Sequence, residues 1–94
     1  MAIPHCQTPA VRSASIGFLR FEEPVAWDAA DGQPVDMALM LAIPAAGPSR
    51  ESLKYLARLS RRLVHEEFRE SLRTASDAAA VVRLIGAAVA DGQL

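Results

Sequence analysis

Ninety-four residues with ten basic and eleven acidic side chains make a chain sized for one hydrophobic core, with a formal net charge of −1. That balance excludes nucleic acid and anionic membrane as main partners, since both reward a concentrated positive surface. An apolar fraction of 51% is globular and not disordered. The lone Cys6 leaves no internal disulfide and fits a reducing compartment. No basic region leads into an apolar one at the start, so no signal peptide is expected, and the longest apolar run, 37–43, is too short to cross a bilayer. The expectation is one cytoplasmic domain over 1–94, without membrane insertion.

The chain opens on Ala2-Ile3-Pro4-His5-Cys6. Proline fixes its own φ and pushes the preceding residue toward extended geometry, so Ile3 is predicted in a strand and His5 where that strand becomes loop. Gln7-Thr8-Pro9-Ala10 then reads as loop. Residues 14–21 read as a strand with Ile16 and Phe18 on one face and Leu19 and Phe21 on the other. Glu22-Glu23-Pro24 closes it; 25–27 is a second short extended piece, followed by the turn signal Asp31-Gly32. Trp27, the only tryptophan, is expected to pack over the sheet edge. The clearest strand is 35–43. Val35, Met37, Leu39, Leu41 and Ile43 share one face, while Ala38, Met40 and Ala42 follow Asp36 on the other. Apolar residues on both faces are what a central strand covered on both sides requires.

Three helical segments follow the breaker cluster 44–48. Ser49 is the predicted N-cap of the first, with Glu51 near the positive end of its dipole. Leu53, Leu56, Ala57 and Leu63 form its predicted apolar stripe; Lys54, Arg58, Arg61 and Arg62 are read as a solvated face. The second helix spans about 65–74, with Phe68 and Leu72 four apart. The third opens at Ser76 or Asp77, buries Val81, Val82, Ile85, Ala88 and Val89, and stops at Asp91-Gly92. Strands first and helices last give an α/β or α+β class with helices against a mostly mixed sheet.

Most site chemistries lack their residues. His5 and Cys6 are adjacent and would point to opposite faces of a strand; with no Cys-x-x-Cys and no second histidine four residues from the first, no metal is expected. No Gly-x-Ser-x-Gly elbow, Walker loop or Gly-rich phosphate loop is present, and no cofactor is expected. His5 remains as a nucleophile. An imidazole titrating near ~6.5 offers a neutral ring nitrogen at cellular pH, and that nitrogen accepts a phosphoryl group with no proton to lose on the attacking side. Thr8 and the backbone N–H groups after His5 are candidate donors to phosphoryl oxygens. His65 lies between helices and reads as a surface residue.

In their order, these residues resemble a known family. Ala2-Ile3-Pro4-His5 followed by Thr8-Pro9-Ala10-Val11 is similar to the phosphorylation-site motif of fructose/mannitol-type enzyme IIA domains of the bacterial phosphoenolpyruvate-dependent sugar phosphotransferase system. The likeness continues through Glu23-Pro24-Val25-Ala26-Trp27, Asp31-Gly32-Gln33-Pro34-Val35 and the strand 37–44. It runs on through Leu53-Lys54-Tyr55-Leu56-Ala57-Arg58-Leu59 and Glu66-Glu67-Phe68-Arg69.

The resemblance implies an α/β fold, a mixed β-sheet flanked by helices, lacking the family's N-terminal helical portion and therefore a partial domain. It implies a phosphotransferase component with a phosphohistidine intermediate. His5 would be the phosphoacceptor, the histidine-containing phosphocarrier protein the donor and a IIB domain the acceptor in sugar uptake. The alternatives are a nitrogen-regulatory IIA-like protein-binding module and a truncated, non-catalytic remnant. Two positions depart from the family pattern: Ser52, a phosphate-contact candidate, stands where a second histidine is frequent, and Cys6 where glycine is common. The family's upstream arginine region has no counterpart before Met1. A central strand short of cover also predicts a homo-oligomer, or burial against another polypeptide.

Overall fold

The structure is a computed structural model that describes residues 1–27 and 32–90 and divides into two units, Met1–Pro48 and Ser49–Leu94. The first unit holds a three-stranded sheet in the order β1-β3-β2, with β1 His5–Thr8, β2 Ser15–Val25 and β3 Val35–Pro44. β1 runs parallel to β3 and β2 antiparallel to it, so the sheet is mixed and the most apolar strand is central. Val35, Met37, Ala38 and Leu39 are no more than 1% exposed, and because Ala38 points opposite to the other three, this half of β3 buries side chains of both faces. Farther along, Met40 is 46% exposed.

The first segment departs from expectation. β1 begins at His5 and takes in Gln7 and Thr8, where a strand ending before a loop was predicted. The chain is already paired earlier: Ala2 N–H donates to Met37 O at 3.0 Å, Leu39 N–H to Ala2 O at 2.9 Å and Leu41 N–H to Pro4 O at 2.9 Å. Residues 2–8 thus follow β3 continuously, and Pro4 interrupts the ladder only because it has no N–H to give. The loop proper starts at Pro9, where Val11 N–H closes onto Thr8 O at 3.1 Å.

β2 also runs longer than its sequence suggests. Glu22, Glu23 and Pro24 lie inside it, within an irregularity that moves the register from Arg20↔Met37 to Val25↔Val35. Four residues of β2 there oppose one of β3. A bulge on an edge strand accommodates proline and exposed carboxylates, so residues that read as a stop are carried within the strand. Phe21 packs on the buried cluster of Ala2, Val35 and Ala38, and Trp27 stacks on Phe21 with ring centres 6.3 Å apart. Of the predicted turn, Asp31 lies outside the described residues, while Gly32 has the left-handed φ of +70° that glycine tolerates.

The second unit holds α1 Arg50–Leu63, α2 Glu66–Thr74 and α3 Ala78–Ala90. Ser49 caps α1 as predicted, its Oγ accepting Ser52 N–H at 3.0 Å. Asp77 is the cap of α3, its Oδ1 accepting Ala80 N–H at 2.8 Å. The predicted stop at 91–92 lies outside the described residues. Two stripes are corrected. In α1 the inward face is Ser52, Leu56, Leu59 and Leu63, with Leu59 1% exposed, whereas Leu53 is 53% exposed and Ala57 is exposed too. In α3 Val82 is 69% exposed and Leu84 turns inward with Val81, Ile85, Ala88 and Val89. Phe68 and Leu72 of α2 are buried as their four-residue spacing predicts.

Candidate functional site

His5 opens β1 beside Leu41 of β3, and its side chain is exposed. Its backbone surroundings follow from the ladder. In a parallel pair the N–H and C=O of one residue point to the same side, and that side alternates along the strand. Ala2 and Pro4 face β3, so Ile3, His5 and Gln7 turn their backbone groups away from it. β1 is an edge strand, and the outward N–H groups of His5 and Gln7 therefore have no ladder partner. The same alternation turns the Ile3 carbonyl outward, where it lies 3.4 Å from Nδ1 of the His5 ring.

A carbonyl oxygen only accepts, so the tautomer matched to this contact carries its proton on Nδ1 and leaves the lone pair on Nε2. Among the described residues this is the ring's one hydrogen-bond partner. The imidazole is thus oriented by its own chain, with the lone-pair nitrogen Nε2 at its far side.

Side chains alternate across β1, placing His5 and Gln7 on one face and Cys6 and Thr8 on the other. Gln7 was not singled out in the sequence, although a period of two from His5 points to it. Its Nε2 donates to Ala45 O at 2.9 Å, tying the His5-bearing face to the turn after β3. That turn closes with Gly47 N–H on Pro44 O at 2.8 Å, and Gly47 sits at φ +91°, a conformation that strains residues with a Cβ.

Thr8 is placed by the strand on the face opposite His5. Its Oγ accepts Ala10 N–H at 3.3 Å and braces the turn that ends β1. Cys6 is exposed and unbridged. Ser52 belongs to the helical unit, where it is half-buried; its Oγ accepts from Ser49 Oγ at 3.0 Å, leaving its own O–H to donate. His65 is the exposed N-cap residue of α2, without a side-chain cap bond, in line with the surface reading. Among the described residues no helix is long and apolar enough to cross a membrane.

A proline-led run that follows the central strand, delivering an exposed histidine at an open sheet edge, is the setting in which the family comparison is decisive. The model of the phosphoenolpyruvate-dependent sugar phosphotransferase system, EIIA 2, matches residues 1–88. The chain belongs to that family. A fructose-specific EIIA component from Haloferax volcanii is 40% identical over 72 residues, covering 77% of this chain and 46% of that protein. A nitrogen regulatory protein from Bradyrhizobium diazoefficiens is 34% identical over 85 residues, covering 90% of this chain and 55% of that one. The crystal structure of nitrogen regulatory protein IIA-Ntr from Neisseria meningitidis superposes with a TM-score of 0.76 at 37% identity, over 89% of this chain and 57% of that chain. The EIIA chain described here therefore spans about half the length of these three relatives, and it shares its α/β fold with the IIA-Ntr structure.

Proposed function

We propose that this EIIA chain is a phosphocarrier in which His5 accepts a phosphoryl group from the histidine-containing phosphocarrier protein and passes it to a IIB domain. The two units act together as one partial enzyme IIA domain, a reading supported by the family match running across both. The observation that carries the proposal is the exposed His5 ring with Nδ1 held at the Ile3 carbonyl. In the forward step the Nε2 lone pair attacks phosphorus, an N–P bond forms, and the donor's N–P bond breaks with its electron pair returning to the donor ring. Positive charge develops on the His5 imidazole as this happens. The bond from Nδ1–H to a carbonyl dipole strengthens with that charge, so it favours the transition state over the resting ring. The outward N–H groups of His5 and Gln7, left without a ladder partner on the edge strand, are the backbone donors assigned to phosphoryl oxygens. Thr8 and Ser52 keep free O–H protons; we assign Thr8 mainly to its turn and retain Ser52 as the side-chain candidate for phosphate contact.

A second reading is a nitrogen-regulatory module, in which the same phosphorylation changes protein binding and no sugar is moved. It is favoured by the 37% identity to IIA-Ntr from Neisseria meningitidis. Both readings need the phosphohistidine and differ in the next step. Phosphorylated protein incubated with a purified fructose-type IIB domain should lose its label to the IIB cysteine under the transport reading. Retention of the label, with discharge only back to the phosphocarrier protein, would decide for the regulatory one.

A further inference from the structure

The arginines of the helical unit are not used alike. On α2, Arg69 pairs with Glu66 and Arg73 with Glu70, so this helix neutralises much of its own charge. On α1, five cations (Arg50, Lys54, Arg58, Arg61 and Arg62) share the helix with one carboxylate, Glu51, which is already hydrogen-bonded by the Tyr55 hydroxyl. Two of the five have internal work: Arg58 donates to Val89 O at 2.9 Å and lies over the Tyr55 ring, and Arg62 lies over the Phe68 ring. Arg50, Lys54 and Arg61 are exposed and have no ion-pair partner among the described residues.

These three fall on the helix face that also carries Leu53 and Ala57, the two residues whose sequence spacing suggested burial. Together with Arg58 they line a shallow concavity of about 450 Å³. From Arg50 to Arg61 the ridge runs roughly 16 Å, or three turns, the length over which one helix lies along another. An exposed leucine framed by unpaired cations is the mirror of an acidic amphipathic helix: the leucine seats an apolar anchor and the cations meet carboxylates on either side. The apolar part is too small to anchor the chain in lipid, and three free cations on a chain of net charge −1 fall short of a nucleic-acid surface.

We propose that the Arg50–Leu53–Lys54–Ala57–Arg61 face of α1 is a docking ridge for an acidic, leucine-bearing helical segment of a protein partner. Glu51, at the flank of the ridge, disfavours a carboxylate at that end and so gives the partner a polarity. The proposal does not depend on phosphoryl transfer by His5.

The test uses the full 94-residue chain. A fluorescein-labelled helical peptide with leucines at positions i, i+3 and i+7 and glutamates elsewhere on that face is titrated by anisotropy, beside the same peptide with lysines for glutamates. Anionic phosphatidylserine vesicles and a duplex DNA form two further arms. The glutamate peptide should bind with an affinity that falls as salt rises, and it should shift the amide resonances of residues 50–61. Lys54→Glu and Arg61→Glu should each weaken it by about tenfold, because each replaces an attraction by a repulsion. His5→Ala should bind normally. These substitutions are at exposed positions, and an unchanged circular dichroism melt certifies the fold. Absence of binding, equal binding of the lysine peptide, indifference to both charge reversals, or preference for vesicles or DNA would each overturn the proposal.

Discussion

The ring Nδ1 of His5 lies 3.4 Å from the carbonyl oxygen of Ile3, two residues back along the same outward-facing edge of the chain. A proton on Nδ1 satisfies this contact and leaves the ring lone pair on Nε2. When the protein is phosphorylated, the phosphoryl group is expected on Nε2. Phosphorus–nitrogen couplings in a 15N-histidine-labelled sample distinguish the two ring positions directly, and a phosphoryl group on Nδ1 would rule out the orientation described.

Tyr55 gives a pH signature confined to α1. Its phenol donates to the Glu51 carboxylate, and this hydrogen bond, together with the nearby negative charge and partial desolvation, raises its pKa above the ordinary 10.0, while Arg58 opposes the shift. A phenol held protonated in the folded state adds stability below the unfolded pKa, and that contribution is lost as pH rises through the folded one. The single tyrosine makes the absorbance titration at alkaline pH unambiguous. Its midpoint should lie above 10.0 and move down in Glu51→Gln; an unchanged midpoint would show that the bond is not formed in solution.

Two leucines of α1 should respond very differently to truncation. Leu59 is 1% exposed and Leu53 53% exposed. Leu59→Ala removes buried atoms and leaves a cavity, an expected loss of about 2–5 kcal/mol. Leu53→Ala should stay within about 0.5 kcal/mol of the parent protein. Urea denaturation of both variants checks the pair, and comparable losses would mean that the helix presents its other face inward.

Ser49 caps α1 through Ser52 N–H and also donates to Ser52 Oγ. Ser49→Ala should cost about 1 kcal/mol, the usual worth of an N-cap, and Ser49→Asp should recover most of it by accepting the same N–H. If the alanine and aspartate variants melt together, the cap contributes nothing measurable.

The features legible in the sequence were those governed by local chemistry. Ser49 and the Ser76-Asp77 pair announced the caps, and the two-faced apolar pattern of 35–43 announced a central strand. The misreadings came from contacts that local pattern does not carry. Pro4 and Pro24 look like stops, yet a parallel neighbour carries residues 2–8 past one and a bulge absorbs the other. The α1 stripe was turned by one residue because Leu53 and Ala57 share helical spacing with Leu56; only packing around Leu59 fixes which leucines are core. At the site, the motif singled out His5, but its orientation depends on where the Ile3 carbonyl points, which follows from pairing with β3. Gln7 went unremarked for the same reason: its partner, Ala45, is 38 residues away.

Phosphorylation itself shows whether His5 is the phosphoacceptor. Incubated with labelled phosphoenolpyruvate, enzyme I and the phosphocarrier protein, the wild-type chain should acquire one acid-labile, base-stable phosphoryl group per molecule. His5→Ala should acquire none, and His65→Ala should match the wild type. An unlabelled wild-type protein, or equal labelling of His5→Ala, would show that His5 is not the phosphoacceptor.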